Sequence, residues 1–92
     1  MLKIKQTSQF KKDLKKAIKQ NYDLTLLSEV IDTLAAEKPL PPRHHDHQLS
    51  GKFKNFRECH ITPDWLMIYQ IKSDILVLSL ARLGSHANLL NM

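Results

Sequence analysis

Three prolines within four residues, Pro39, Pro41 and Pro42, cut this chain into two halves that cannot share one kind of secondary structure. Each fixes its own φ, lacks a backbone donor and biases the preceding residue away from the helical region. A helix must therefore stop at this point, and residues 38–43 must run as a stiff, extended connector. The hydrophobic period changes across it. On the N-terminal side, Phe10, Leu14, Ala17 and Ile18 recur at helical spacing after Ser8, an expected cap, with Lys11, Lys12, Lys15, Lys16 and Lys19 on the opposite arc. Asp23 is expected to cap a second helix whose apolar stripe is Leu24, Leu27, Val30, Ile31, Leu34 and Ala35. The two helices are expected to pair as a hairpin. Ahead of them, Leu2 and Ile4 alternate with Lys3 and Lys5 in the period of a short strand.

Beyond Gly51 the pattern is that of strands. Runs at 52–61, 65–71 and 75–81 are separated by turns at Thr62, Pro63 and Asp64 and at Lys72, Ser73 and Asp74. Turns this short imply an antiparallel three-strand meander. The last run, with Ile75, Leu76, Val77, Leu78 and Leu80, is the most apolar and is expected to be central or well covered. The predicted architecture is α+β: a short N-terminal strand, a two-helix hairpin, then the meander, with both helices on one face and the other face left for function.

Ninety-two residues, 42% of them hydrophobic, predict a single domain at 1–92 with one modest core. No apolar run is long enough to span a bilayer and no signal-peptide core precedes the first strand, which places the chain in the cytoplasm. Its one cysteine, Cys59, has no intramolecular partner and is expected to be a small buried hydrophobe. The net charge of +5 is unevenly spread: residues 1–20 carry seven lysines and one aspartate, +6, and the remainder sums to −1. Such a face attracts polyanions, of which nucleic acid is the commonest, and also serves as an ordinary solvated surface. Lys12, Lys15, Lys16 and Lys19, together with Arg57, are the candidate RNA contacts.

In an antiparallel meander the end of one strand, the start of the next and the end of the third lie along one edge. This brings together His60, Asp64, Trp65 and Arg82, with His86 four residues further on. Histidine titrates near neutrality, so two imidazoles with an orienting carboxylate can supply a general base and a general acid. Arginine adds a fixed fork of donors suited to a phosphate whose charge grows in the transition state. That set suits phosphodiester transfer. In RNA the ribose 2′-OH is a built-in nucleophile, so neither a metal nor another cofactor is expected. Trp65 is the aromatic best placed to stack on an unpaired base, whereas Phe53, Phe56 and Tyr69 are expected to pack. The run Arg43, His44, His45, Asp46, His47 contains metal-ligand types but no second cluster, and His44 and His45 are expected to be exposed connector residues.

The stretches DHQLSGKFKNFRECHITPDWLMIYQI and LARLGSHANLL resemble the YafQ branch of the RelE/ParE toxin superfamily. The shared pattern is DH, then L and G, then R, H, PDW and Y, and finally R, G and H. The resemblance implies a toxin of a bacterial toxin–antitoxin pair, an endoribonuclease that enters the ribosome and cuts translated mRNA, with a cognate antitoxin as partner. It implies His47, His60, Asp64, Trp65, Arg82 and His86 as site residues: His86 as general acid, His60 as base and Asp64 orienting it. Only the resemblance supplies His47, which precedes the meander and reaches the site only if the chain folds back at Gly51. Family members commonly carry an aromatic residue four positions after the final histidine; here it is Leu90, which puts no ring there. The lysine face fits either ribosomal RNA or an acidic antitoxin. A ParE-like toxin acting on gyrase without RNA chemistry, and a non-catalytic nucleic-acid-binding module, are the competing readings; neither needs the histidine set.

Overall fold

A computed structural model describes residues 1–85, 87 and 89. In chain order the elements are β1 (Lys3–Gln6), α1 (Ser8–Lys19), α2 (Leu24–Ala35), β2 (His47–Gln48), β3 (Arg57–Thr62), β4 (Trp65–Lys72) and β5 (Val77–Ser85), with short 3-10 turns at Pro42–His44, Gly51–Phe53 and Ser73–Ile75. The sheet order is β1-β5-β4-β3-β2. The expected meander is its centre, β3, β4 and β5 being antiparallel neighbours. Two strands extend it: β1 lies parallel to β5, and the two-residue β2 lies antiparallel to β3.

The helices end where their caps dictate. Thr7, not Ser8, caps α1: its hydroxyl accepts from the Phe10 amide at 3.1 Å and donates to the Ala81 carbonyl at 3.0 Å, tying the helix start to β5. Asn21 adopts a left-handed φ of 61° at the other end, and the Asn21 and Tyr22 amides close on the Ile18 and Ala17 carbonyls. This Schellman-type turn points Tyr22 back at the core. Asp23 caps α2 as expected, accepting from the Thr25 amide at 2.9 Å.

Both helices cover one face of the sheet. Phe10 and Ala17 of α1 and Leu27, Val30, Leu34 and Ala35 of α2 share a core with Cys59, Trp65, Met67, Tyr69, Leu78 and Leu80. Ile18 and Leu24 stay exposed although they belong to the predicted stripes, as does Ile4, because β1 is an outer strand whose Leu2 end alone reaches the core. The opposite face is not bare: Leu66 and Ile68 pack there with Leu49, Phe56, Ala81 and Leu89. Strand β4, buried on both faces from Trp65 to Tyr69, is the centre of the molecule.

The last strand is displaced from its predicted 75–81. Ile75 and Leu76 are exposed in the turn, Leu76 at a left-handed φ of 54°, and the strand runs on to Ser85. Arg82 therefore lies inside β5 rather than at its end. Among the described residues no helix is long and apolar enough to cross a membrane.

Candidate active site

Strand register places the candidate residues. Thr62, Trp65 and Ser85 share the last row of the sheet; His60, Leu66 and Gly84 form the next, Cys59, Met67 and Leu83 the third, and Glu58, Ile68 and Arg82 the fourth, to which β2 adds His47 opposite Glu58. With strands about 4.8 Å apart, His60 stands about 10 Å from Gly84, and His47 about 14 Å from Arg82. The backbones of His60, Asp64 and Trp65 thus gather at one end of the sheet, as expected, while Arg82 lies three rows in from that end. His47 joins them because the chain does fold back beside Gly51, whose φ of +66° is a conformation that favours glycine. His86, the expected general acid, and Leu90 lie outside the described residues.

Two imidazoles face away from the helices. Side chains alternate along β3, so Glu58 and His60 share the face of Leu66 and Ile68. His47 Nδ1 contacts the His45 carbonyl at 2.7 Å, and its Nε2 sits 3.6 Å from a Glu58 carboxylate oxygen. His60 Nδ1 lies 3.3 Å from the Pro63 carbonyl, with its ring edge-on to His45 at 5.4 Å between centroids. A carbonyl only accepts, so Nδ1 is the protonated nitrogen toward it in both rings, while Nε2 of His47 faces the Glu58 carboxylate, a second acceptor. Asp64, expected to orient His60, is exposed in the turn, and the Pro63 carbonyl takes that place. Glu58 is the residue that sequence reasoning missed, although its alternation with His60 put it on the same face.

His44 corrects the reading of the connector. It is 7% exposed, and its Nδ1 donates to the His60 backbone carbonyl at 2.6 Å, pinning the connector to β3. Only His45 of the pair is exposed.

Arg82 is set from the other side. Asp13 accepts from its Nε at 2.9 Å and, with the same oxygen, from the Leu83 amide at 2.9 Å, while the second carboxylate oxygen takes the Gln9 side chain. The β1 ladder ends at Leu80, so Thr7 and Asp13 serve the edge of β5 beyond it. Between α1 and this edge runs a cleft of about 380 Å3 lined by Lys12, Lys16, Tyr22, Trp65, Arg82 and Ser85. Lys15 and Lys19 are exposed on α1 outside it. Trp65 cannot stack on a base in this arrangement. It is 0% exposed and already stacked on Tyr22, with centroids 4.6 Å apart and planes 18° from parallel.

Arg57 points the other way, toward the helices. Its Nε lies 3.3 Å from Asp46 Oδ1, which also accepts from the Tyr69 hydroxyl at 2.5 Å. The Asp46 hydrogen bond raises the guanidinium pKa, and burial followed by the Asp46 acceptor pushes the Tyr69 phenol well up. Burial likewise pushes the Cys59 thiol up to about 12, keeping it protonated and inert.

Comparison with known proteins gives this geometry a family. Residues 2–91 match the family described as bacterial toxin of type II toxin-antitoxin system, YafQ. The mRNA interferase toxin YafQ of Escherichia coli strain K12 is 36% identical over 87 residues, 94% of this chain and 92% of that protein. A metal-bound toxin from Helicobacter pylori superposes with a TM-score of 0.91 at 50% identity, over 97% of this chain and 99% of that one. YafQ in the E. coli DinJ–YafQ complex superposes with a TM-score of 0.88 at 34% identity, over 97% and 98%. Among the described residues of this chain, no three His, Cys, Asp or Glu side chains group so as to hold a metal ion. With the match running nearly end to end, the chain belongs to the YafQ family of toxins of type II toxin–antitoxin systems.

Proposed function

We propose that this toxin is an endoribonuclease that cuts mRNA on the translating ribosome in the cytoplasm and is silenced by a cognate antitoxin. The observation that carries the reading is the sheet register, which sets His47, Glu58 and Arg82 in one row and His60 two rows away. The relatives' activity on mRNA and the DinJ–YafQ complex support it.

In the proposed reaction His60 Nε2 takes the proton of the ribose 2′-OH, the freed oxygen attacks the adjacent phosphorus, and the bond to the 5′ oxygen breaks as His86 protonates it. The products are a 2′,3′-cyclic phosphate and a 5′-hydroxyl. Arg82 and His47 meet the charge that builds on the phosphoryl oxygens. Every proton is moved by a side chain and the nucleophile belongs to the substrate, so no step is assigned to a metal. The lysines of α1 neutralise ribosomal RNA phosphates, which makes association steeply salt-dependent. Lys12 and Lys16 stand nearest the cleft; Arg57, held by Asp46, is the weakest of the RNA-contact candidates.

The test is cleavage of a translated message by purified toxin and ribosomes, with mapped ends. Cuts in register with the reading frame, leaving cyclic phosphate, unaffected by chelator and abolished by 2′-deoxyribose at the cut site, are expected. Equal cutting of the deoxy substrate overturns 2′-OH attack, and gyrase inhibition without RNA cleavage overturns the nuclease reading altogether.

A further inference from the structure

Three residues of the shared sequence pattern have no part in the reaction as drawn: the aspartate before His47, the arginine ahead of His60 and the tyrosine after the Pro-Asp-Trp turn. They are Asp46, Arg57 and Tyr69, separated by up to 23 residues, and they meet around a single carboxylate oxygen. We propose that they are positioning residues for His47, acting through the backbone between the two faces of the sheet. The proposal rests on the reading of His47 as part of the active site.

Side-chain alternation provides the geometry. Gln48 pairs with Arg57 and His47 with Glu58, so Asp46 falls on the helix face with Arg57 while His47 falls on the opposite face with Glu58. Locking Asp46 from behind fixes the Cα next to it in front. The lock is also anchored well: Tyr69 is fully buried in β4, the most enclosed strand, and Arg57 opens β3. By contrast β2 has only two residues in register with β3 and lies at the edge of the sheet, too short a ladder to hold a side chain to catalytic tolerance.

The path to the ring is short. His45 adopts a left-handed φ of 45°, and its carbonyl belongs to the peptide whose amide is that of Asp46. That carbonyl accepts from His47 Nδ1 at 2.7 Å. Holding the Asp46 side chain therefore holds the peptide plane that orients the His47 ring, with Nδ1–H on the His45 carbonyl and Nε2 toward Glu58. Release of the clamp lets the plane rotate and the ring with it, and a displacement of about 1 Å at a reacting group can cost roughly a hundredfold in rate.

The test is a double-mutant cycle read as cleavage rate. Tyr69→Phe deletes one oxygen from the clamp and is expected to lower kcat roughly tenfold to a hundredfold with KM little changed. In a His47→Ala background the same substitution is expected to change nothing, because the group it positions is gone. Asp46→Asn, which keeps the size and loses the charge, is the second arm should Tyr69→Phe fold poorly. Imidazole nitrogen shifts of His47, altered by either variant while those of His60 stay put, are the expected signature. Multiplicative losses in the double variant, or unchanged His47 shifts, overturn the positioning role. A wild-type rate for His47→Ala overturns the reading of the site itself and the proposal with it.

Discussion

The two flanks of the candidate site are held by opposite means. On the α1 side, Asp13 is 10% exposed and takes donors on both oxygens, one of them a backbone amide that no strand pairs, so Arg82 is fastened to the edge of β5. On the β2 side, His47 is 49% exposed on a two-residue strand, with one carbonyl and the 3.6 Å approach of Glu58 to orient it. A charge that must only be present is anchored in the fold. The His47 ring stands at the surface, where a ligand can reach it. If the proposed reaction holds, one flank governs stability and the other activity.

The sharpest break between them is expected from His60→Ala. Among the described residues its ring contacts the Pro63 carbonyl and, edge-on, His45, so unfolding in urea should shift by no more than about 0.5 kcal/mol, as for surface substitutions. Loss of a positioned base lowers cleavage roughly 10²- to 10⁴-fold. A wild-type cleavage rate in this variant would remove the histidines from the chemistry. Asp13→Ala reverses the balance. It strands the Leu83 amide and removes the Asp13 acceptor from Arg82 Nε, at a cost of about 2–4 kcal/mol in the same urea titration. A loss below about 1 kcal/mol would show that this flank is no anchor.

Much of this was legible beforehand, and the omissions have physical causes. The Asp23 cap, the helical stripes, the meander and the gathering of His60, Asp64 and Trp65 at one sheet end all follow from local period and turn chemistry, whereas Arg82 lies three rows further in. β2 was not legible, since two residues carry no period. Asp13 left a signal, being the only acid among seven lysines in the first twenty residues. What it serves is an unpaired amide 70 positions away, which no local pattern reports. Trp65 was misread for a related reason: a tryptophan at a strand start looks available until the turn after α1 delivers Tyr22 onto its face. The displaced β5 follows from Ile75 and Leu76, apolar residues spent in a turn.

Alkali is expected to separate the flanks more gently, because the groups whose protonation folding favours lie in β3 and β4. Cys59 has an ordinary value of 9.0 and is held at about 12 in the fold. A raised value means that its contribution is complete below pH 9 and is lost as pH climbs toward 12, by up to about 1.4 kcal/mol per pH unit. The raised Tyr69 phenol adds a loss that begins near its own ordinary value of 10.0. Urea midpoints measured from pH 8 to 11 should fall from pH 9 in the native chain and only from about pH 10 in Cys59→Ala. Parallel curves would show that the thiol does not report the β3 side.

The smallest effect tests how the α1 flank begins. Thr7 links two elements through one hydroxyl, accepting from the Phe10 amide and donating to the Ala81 carbonyl, whereas Ser8 is the first residue within the helix. Thr7→Ala removes a cap and a tie to the strand that carries Arg82, for about 1–2 kcal/mol. Ser8→Ala removes neither and replaces serine with a better helix former, so stability should hold or rise by a few tenths of a kcal/mol. If the two variants unfold alike, the cap is misplaced. Should Thr7→Ala also slow cleavage while Ser8→Ala does not, the register of α1 against β5 sets where Arg82 meets the phosphate, and the two flanks are joined through that hydroxyl.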